Sequence, residues 1–292
     1  MFKITTDTSC DEYKSVLEEQ NVSYVPLVYT INGKEIEDHL SSNEEYEQFY
    51  EMMAKGGMPT TSQVNAYHHY KFFKKILKKD PHTPILHLCL SSGLSGTYQR
   101  ALEGANKVKE KFPEAQIYII DTLSATQGHN LVLKKAIELR DNNVDIKEVY
   151  DILLKYRLKC HHWIFIDDLM HLKRGGRVST VAAIFGTALK IKPLAIIDEE
   201  GKIKIVDKIR GTRRGLQVLI EKLETYILDK ENIKMVIANA GNTPLCLELK
   251  EMILRKYPNA QIELGWIGPV IGSHTGKGTI GIGFEGVPRN KI

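Results

Sequence analysis

Over its first 157 residues the chain alternates short apolar runs of strand length with longer stretches of helical period, and that alternation confines it to an α/β fold. Residues 2 to 5 (FKIT) and 22 to 30 (VSYVPLVYT) read as strands, with a short helix from Asp11 to Gln20 between them. Asn32-Gly33, between VYTI and KEI, is the strongest short hairpin signal. Ser42, with Glu45 three residues later, forms a capping box for a helix that ends near Gly56-Gly57. A loop from Met58 to Gln63 leads to a helix near Ala66 to Lys79, an apolar strand from Ile85 to Leu90, and SSGLSG at the start of another helix. A strand from Gln116 to Ile120 stops at Asp121, and Ser124 to Asn142 and Ile146 to Lys159 read as helices. The expectation for residues 1–157 is therefore a doubly wound, mostly parallel sheet domain.

The remaining residues, 158–292, are less regular. Strands are expected at Trp163 to Ile166, Leu194 to Ile197, Ile203 to Val206, Met235 to Ala238 and Ile262 to Trp266, with sparser helices. Glu199-Glu200-Gly201 joins two of those strands as a hairpin, which points to an α+β domain with a mixed sheet. Eight of the 22 glycines fall between Gly265 and Gly286, a density that permits close backbone approach to a partner or ligand. A length of 292 residues suits two domains, since one domain usually takes ~100 to 200.

Composition narrows the function. Forty Lys plus Arg against 36 Asp plus Glu leave a net charge of +4, too small and too evenly spread for a nucleic-acid footprint. Cys10, Cys89, Cys160 and Cys246 form no C-x-x-C pair, so zinc and redox motifs are lacking and the thiols read as reduced. The N-terminus lacks a long apolar segment, and no run approaches the ~18 apolar residues of a membrane span, so a cytoplasmic protein is expected.

Hydroxyls gather where open α/β sheets bind ligands, near strand ends and helix starts: Asp7-Thr8-Ser9, Thr60-Thr61-Ser62, Ser91-Ser92 and Asp121-Thr122. Beside a helix N-terminus such residues cradle a carboxylate or phosphate, although plain N-capping accounts for most of them. In SSGLSG two glycines among three serines exceed what one cap requires. Ser92 or Ser95 as a nucleophile fits poorly, because Gly96 comes one residue too early for G-x-S-x-G, and a triad through His274 needs an orienting carboxylate. GSHTGKGT at 272–279 departs from the nucleotide-binding P-loop in its glycine spacing and lacks Ser or Thr after Lys277. His68-His69 and His161-His162 are adjacent pairs without metal-ligand spacing, so no metal is expected. His274, in the glycine-rich stretch, has the chemistry to donate to an anion. Lys173 to Arg177 (KRGGR) and Arg210 to Arg214 (RGTRR) are either solvated loops or anion-recognition elements. The residues describe an anion-binding protein without an evident catalytic base.

Six stretches in order, KITTDTSCD at the N-terminus, PTTSQ at 59–63, LSSGLSGTY at 90–98, IIDTLSATQG at 119–128, LKRGGRVST at 172–180 and IGPVIGSHTGKG at 267–278, make the whole chain resemble the DegV family of fatty-acid-binding proteins. Val64-Asn65 after TSQ, where a Pro-Ser-like pair is common, and Ser273 in place of a more usual Thr are the departures. The resemblance implies a non-enzymatic carrier with no cofactor, holding a long-chain fatty acid such as palmitate between domains 1–157 and 158–292. It implies that Thr61 and Ser92 bind the carboxylate, with Ser62 and Gly93 in the same loops and Arg177 and His274 close by. Some members present their acid to a separate ATP-dependent fatty acid kinase, which makes acyl phosphate for phospholipid synthesis. Arg210, Arg213 and Arg214 are the expected docking segment for such a kinase. The rival expectations are a serine-dependent acyl hydrolase and a binder of another small anionic ligand.

Overall fold

A computed structural model describes residues 2–40, 42–177 and 191–291, so Val178, Ser179 and Thr180 of the LKRGGRVST stretch lie outside the described residues. The chain runs through β1 (Lys3–Asp7), α1 (Lys14–Glu19), β2 (Ser23–Val25), β3 (Val28–Ile31), β4 (Lys34–Glu37), α2 (Asn43–Ala54), β5 (Thr60–Ser62), α3 (Ala66–Leu77), β6 (Ile85–Cys89), α4 (Thr97–Lys109), β7 (Ile117–Asp121), α5 (Thr126–Asp141) and α6 (Ile146–Tyr156). There follow β8 (Cys160–Phe165), α7 (Leu169–Gly175), β9 (Ile191–Ile197), β10 (Ile203–Arg210), α8 (Thr212–Tyr226), β11 (Lys234–Asn239), α9 (Thr243–Lys256), β12 (Gln261–Trp266), α10 (Pro269–Thr275) and β13 (Ile280–Glu285).

The expected parallel sheet is present, in the order β2-β1-β6-β7. Strand alternation sends Ile85, Cys89 and Ile119 to one face, against Tyr70, Phe73 and Val108 of α3 and α4. Ile4, Leu86, Leu88 and Ile120 face the other way, onto Leu17, Val132, Leu133, Val149 and Leu153 of α1, α5 and α6. Helices thus cover both faces, which is why β6 is buried at every position.

Two elements differ from the expectation. The stretch 22–30 is not one strand, because Pro26 has no N–H to continue the ladder. The chain turns there and β3 enters a separate antiparallel sheet of order β4-β3-β5. Its hairpin closes on Asn32 and Gly33, with φ of 51° and 74° as a two-residue type I′ turn requires. The expected loop at 58–63 contains β5, which places Thr61 opposite Tyr29 of β3. The Ser42–Glu45 capping box of α2 is formed as expected.

The later strands build a mixed sheet of order β10-β9-β8-β13-β11-β12, parallel only between β11 and β12. β13, absent from the expected strands, sits inside it, its sequence IGIGFE alternating apolar residues with glycine. Its alternating glycines face α5, and a Cβ on Gly283 would collide with that of Gln127. Here the glycine-rich segment brings backbone close to the chain's own helix. Ile280, Ile282 and Phe284 fill the opposite face with Leu216, Leu219 and Leu223 of α8 and Leu249 and Ile253 of α9. Helices are therefore not sparse in this half, since α8 has 15 residues and α9 has 14. Gly211 holds the N-cap position of α8, and no side chain caps it.

One apolar cluster joins the two halves. Leu27, Tyr29, Phe49, Tyr50 and Leu90 pack with Ile164, Ile166, Leu172, Ala195, Trp266 and Val270. Trp266 Nε1 donates to Asn43 Oδ1 at 2.6 Å. Buried Arg289 donates to the carbonyls of Ile197, Asp198, Leu123 and Arg157 at 2.8 to 3.1 Å. These bonds, with Ser91 Oγ donating to Gly201 O at 2.7 Å, clamp the β9–β10 hairpin onto the segments that follow β6, β7 and α6.

Candidate functional site

Between the halves lies a cavity of about 180 Å³. Its polar wall includes Thr61, Ser62, Ser95, Thr97, Arg177 and His274. Its apolar wall is formed by Leu27, Leu90, Leu94, Ile203, Val270 and Ile271. A cavity lined by both hydrogen-bonding and aliphatic groups suits an amphiphile with an anionic head.

β5 presents Thr61, and the last turn of α10 presents His274. Thr61 Oγ1 lies 2.8 Å from His274 Nε2, and His274 Nδ1 lies 3.0 Å from the carbonyl oxygen of Gly175, the last residue of α7. A carbonyl only accepts, so Nδ1 carries the ring hydrogen. Burial, then the Arg177 charge, pushes the His274 pKa down to about 4. The ring is neutral near pH 7, and Thr61 donates its hydroxyl hydrogen to Nε2. Arg177 Nη1 shares the Gly175 carbonyl at 2.9 Å, which ties the arginine to the histidine. His171 Nε2 meets Ser273 O at 2.8 Å and holds α7 against α10.

The SSGLSG loop divides between support and cavity. Leu90 N–H donates to Asp7 Oδ2 at 2.7 Å, Ser92 N–H to Asp121 Oδ1 at 3.1 Å, and Gly93 N–H to Ser91 Oγ at 3.1 Å. Asp7 and Asp121, at the ends of β1 and β7, thus shape the loop from below. Thr8 Oγ1 accepts from Leu27 N–H at 3.0 Å, and Thr122 Oγ1 donates to Cys89 O at 2.7 Å. These hydroxyl clusters brace strand ends, as the capping alternative has it. The exposed Ser92 does not line the cavity, and neither does Gly93, whose ideal Cβ would sit 2.6 Å from Gly201 O. Ser95 lines it instead, with Oγ 2.9 Å from Thr97 Oγ1.

Residues 1–286 match the family model described as "Uncharacterised protein, DegV family". The chain belongs to the DegV family. A DegV domain-containing protein of Clostridium perfringens is 35% identical over 285 residues, covering 98% of this chain and 97% of the relative. Among solved structures, a DegV lipid binding protein from Thermotoga maritima is 29% identical with a TM-score of 0.84, covering 99% of this chain and 100% of that one. A second Thermotoga maritima protein, described as revealing a fatty acid binding function, is 28% identical with a TM-score of 0.84, covering 98% of this chain and 99% of that one.

Of the residues singled out in the DegV sequence, Thr61, Ser62, Arg177 and His274 share one cavity, while Ser92 and Gly93 stand outside it. Sequence reasoning missed Gln63, Thr97 and the apolar wall, and weighed Ser95 only as a nucleophile. The usable signal for Ser95 was its place just before the Gly96-Thr97 start of α4. The DegV segment GSHTGKGT runs from the end of α10 toward β13, the reverse of the strand-to-helix order of a P-loop. Arg210, Arg213 and Arg214 lie elsewhere, exposed at the end of β10 and the start of α8. Arg214 donates to Glu221 Oε1 at 2.6 Å. Among the described residues no helix is long and apolar enough to cross a membrane.

Proposed function

We propose that this protein is a cytoplasmic carrier of a long-chain fatty acid, held between domains 1–157 and 158–292. The observation that carries the reading is one cavity lined by hydroxyl, imidazole and guanidinium groups together with aliphatic side chains. Thr61, Ser62, Ser95, Arg177 and His274 would receive the carboxylate, and the aliphatic wall the first part of the acyl chain. Cavities of ~150 Å³ admit a benzene ring. A long chain therefore requires side chains of the shared apolar cluster to part. Four buried, free thiols accord with a reducing compartment. Ser95 is paired with a threonine, and His274 is oriented by a carbonyl, an arrangement suited to binding and not to a charge-relay hydrolase. The test is native mass spectrometry of the purified protein, with a co-purified mass in the C14 to C20 fatty-acid range expected. Absence of any acyl ligand, together with no binding of added oleate, would overturn the reading.

Delivery to a separate ATP-dependent fatty acid kinase completes the proposal, with Arg210, Arg213 and Arg214 as the docking segment. The first turn of α8 carries Arg213 and Arg214 with no acidic residue, although a helix N-terminus disfavours cations. An anionic partner surface relieves that conflict. Arg210 lies seven residues beyond the cavity residue Ile203 along β10, roughly 23 Å at ~3.3 Å per residue. Docking and head-group binding would then be separable.

A further inference from the structure

The hydrogen bonds around His274 set a condition on any carboxylate that enters the cavity. Thr61 has one hydroxyl hydrogen, and it points to His274 Nε2. A carboxylate has only acceptor oxygens, so it gains nothing from Thr61 in that arrangement. Nδ1 cannot release its hydrogen without stranding the Gly175 carbonyl bond, which leaves Nε2 as the position able to take up a proton. Once Nε2 carries hydrogen it donates to Thr61 Oγ1, and the Thr61 hydroxyl hydrogen becomes free to turn toward the ligand.

We propose, building on the fatty-acid reading above, that carboxylate binding takes up one proton at His274 Nε2, reversing the Thr61–His274 hydrogen bond so that Thr61 becomes a donor to the ligand. His274 is thereby a positioning residue acting through Thr61. The proton comes from solvent or on the acid itself; in either case an ionised fatty acid plus one proton yields a bound carboxylate and an imidazolium.

The charges around the ring explain why the two events go together. The groups bearing on His274 are Arg177, just past α7, and His171 on α7; β5 contributes the uncharged Thr61, and α10 ends at the ring. Arg177 and His171 both disfavour a cation there, and burial works in the same direction. Because Arg177 and His274 share the Gly175 carbonyl, a protonated ring faces a guanidinium across one oxygen. A carboxylate entering beside them offsets that repulsion. Proton and ligand therefore each favour the other, as linkage requires.

The test is calorimetric titration of delipidated protein with oleate at pH 7 in phosphate and in Tris, whose ionisation enthalpies differ. Wild type is expected to take up close to one proton per oleate, and its affinity to fall by up to about tenfold per pH unit as pH rises above 7. His274→Gln should bind oleate with no net proton uptake and a flat pH profile. Should that variant fail to fold, nitrogen-15 NMR of histidine-labelled wild type serves: oleate should move His274 Nε2 from the acceptor to the protonated shift range. Oleate binding by wild type with no proton uptake would overturn the coupling while leaving the carrier reading intact. Persistent uptake in His274→Gln would place the proton on the ligand and overturn the role of His274. Failure of wild type to bind oleate at all would overturn both.

Discussion

Thr61 and His274 are 213 residues apart in the chain, yet Thr61 Oγ1 lies 2.8 Å from His274 Nε2. That one bond joins the small antiparallel sheet to the end of α10 and sets the hydrogen-bonding character of the cavity's polar end.

Thr61→Val keeps the β-branched shape that suits β5 and removes the hydroxyl. Hydrogen bonds to a charged group contribute ~1.5 to 3 kcal/mol, so fatty-acid affinity should fall about tenfold or more. Thr61→Ser should retain most of it. A fluorescent fatty-acid displacement assay reads the difference, and wild-type affinity in the Val variant would remove Thr61 from the site.

The two serines of the SSGLSG loop should behave differently. Ser95→Ala is expected to weaken binding about fivefold to tenfold, because its hydroxyl lines the cavity. Ser92→Ala should be silent, since Ser92 is exposed and its supporting contact to Asp121 is made through the backbone N–H. The opposite ranking in the same assay would return the head group to Ser92.

Acid should destabilise the fold through its buried histidines. Burial lowers the pKa of His69, His87, His129, His161, His162 and His274, with His69 and His161 pushed down to about 4. Between the ordinary value of ~6.5 and those lowered values the unfolded chain binds protons that the folded chain does not. Stability is therefore fully present above pH ~6.5 and lost as pH falls. Asp11 and Asp38, raised by burial, Asp38 to about 7, oppose this but are fewer. The melting temperature should drop by more than about 5 °C from pH 7 to pH 5. His69→Phe, which removes two unpartnered ring nitrogens, should reduce the drop. A melting temperature flat across that range would contradict the account.

Gly283→Ala forces a methyl group into the Cβ of Gln127 on α5, and should cost about 1 to 3 kcal/mol in denaturant unfolding. Gly281→Ala meets only the movable amide end of the same side chain, at 3.2 Å, and should cost less. Equal effects would mean that α5 does not press on β13 in this way.

Reversal of the docking arginines, Arg210→Glu with Arg213→Glu, should leave oleate affinity unchanged and slow acyl-phosphate formation with a cognate kinase at low salt, where screening is weakest. Equal rates for variant and wild type at low salt would show that the kinase docks elsewhere.

The sequence by itself determined the local and periodic features of this DegV protein. Alternating apolar runs dictated the parallel sheet, Asn32-Gly33 the β3–β4 hairpin of the small antiparallel sheet, Ser42 and Glu45 a capped helix, and Glu199 to Gly201 the β9–β10 turn, because each depends on residues a few positions apart. Thr61, Arg177 and His274 were legible as site candidates because hydroxyl, guanidinium and imidazole beside glycines have little structural use. What lay beyond reach was decided by contacts between distant segments. β13 alternates Ile280, Ile282 and Phe284 with glycines, and why glycine fills its other face is explained only by packing against Gln127 of α5. Ser92 and Ser95 are chemically identical in the sequence, and Gly201, more than 100 residues away, fills the space beside Gly93 and leaves Ser95 facing the cavity. The proton on His274 likewise follows from the Gly175 carbonyl and the burial of the ring, properties that exist only once α7, α10 and β5 have been brought together.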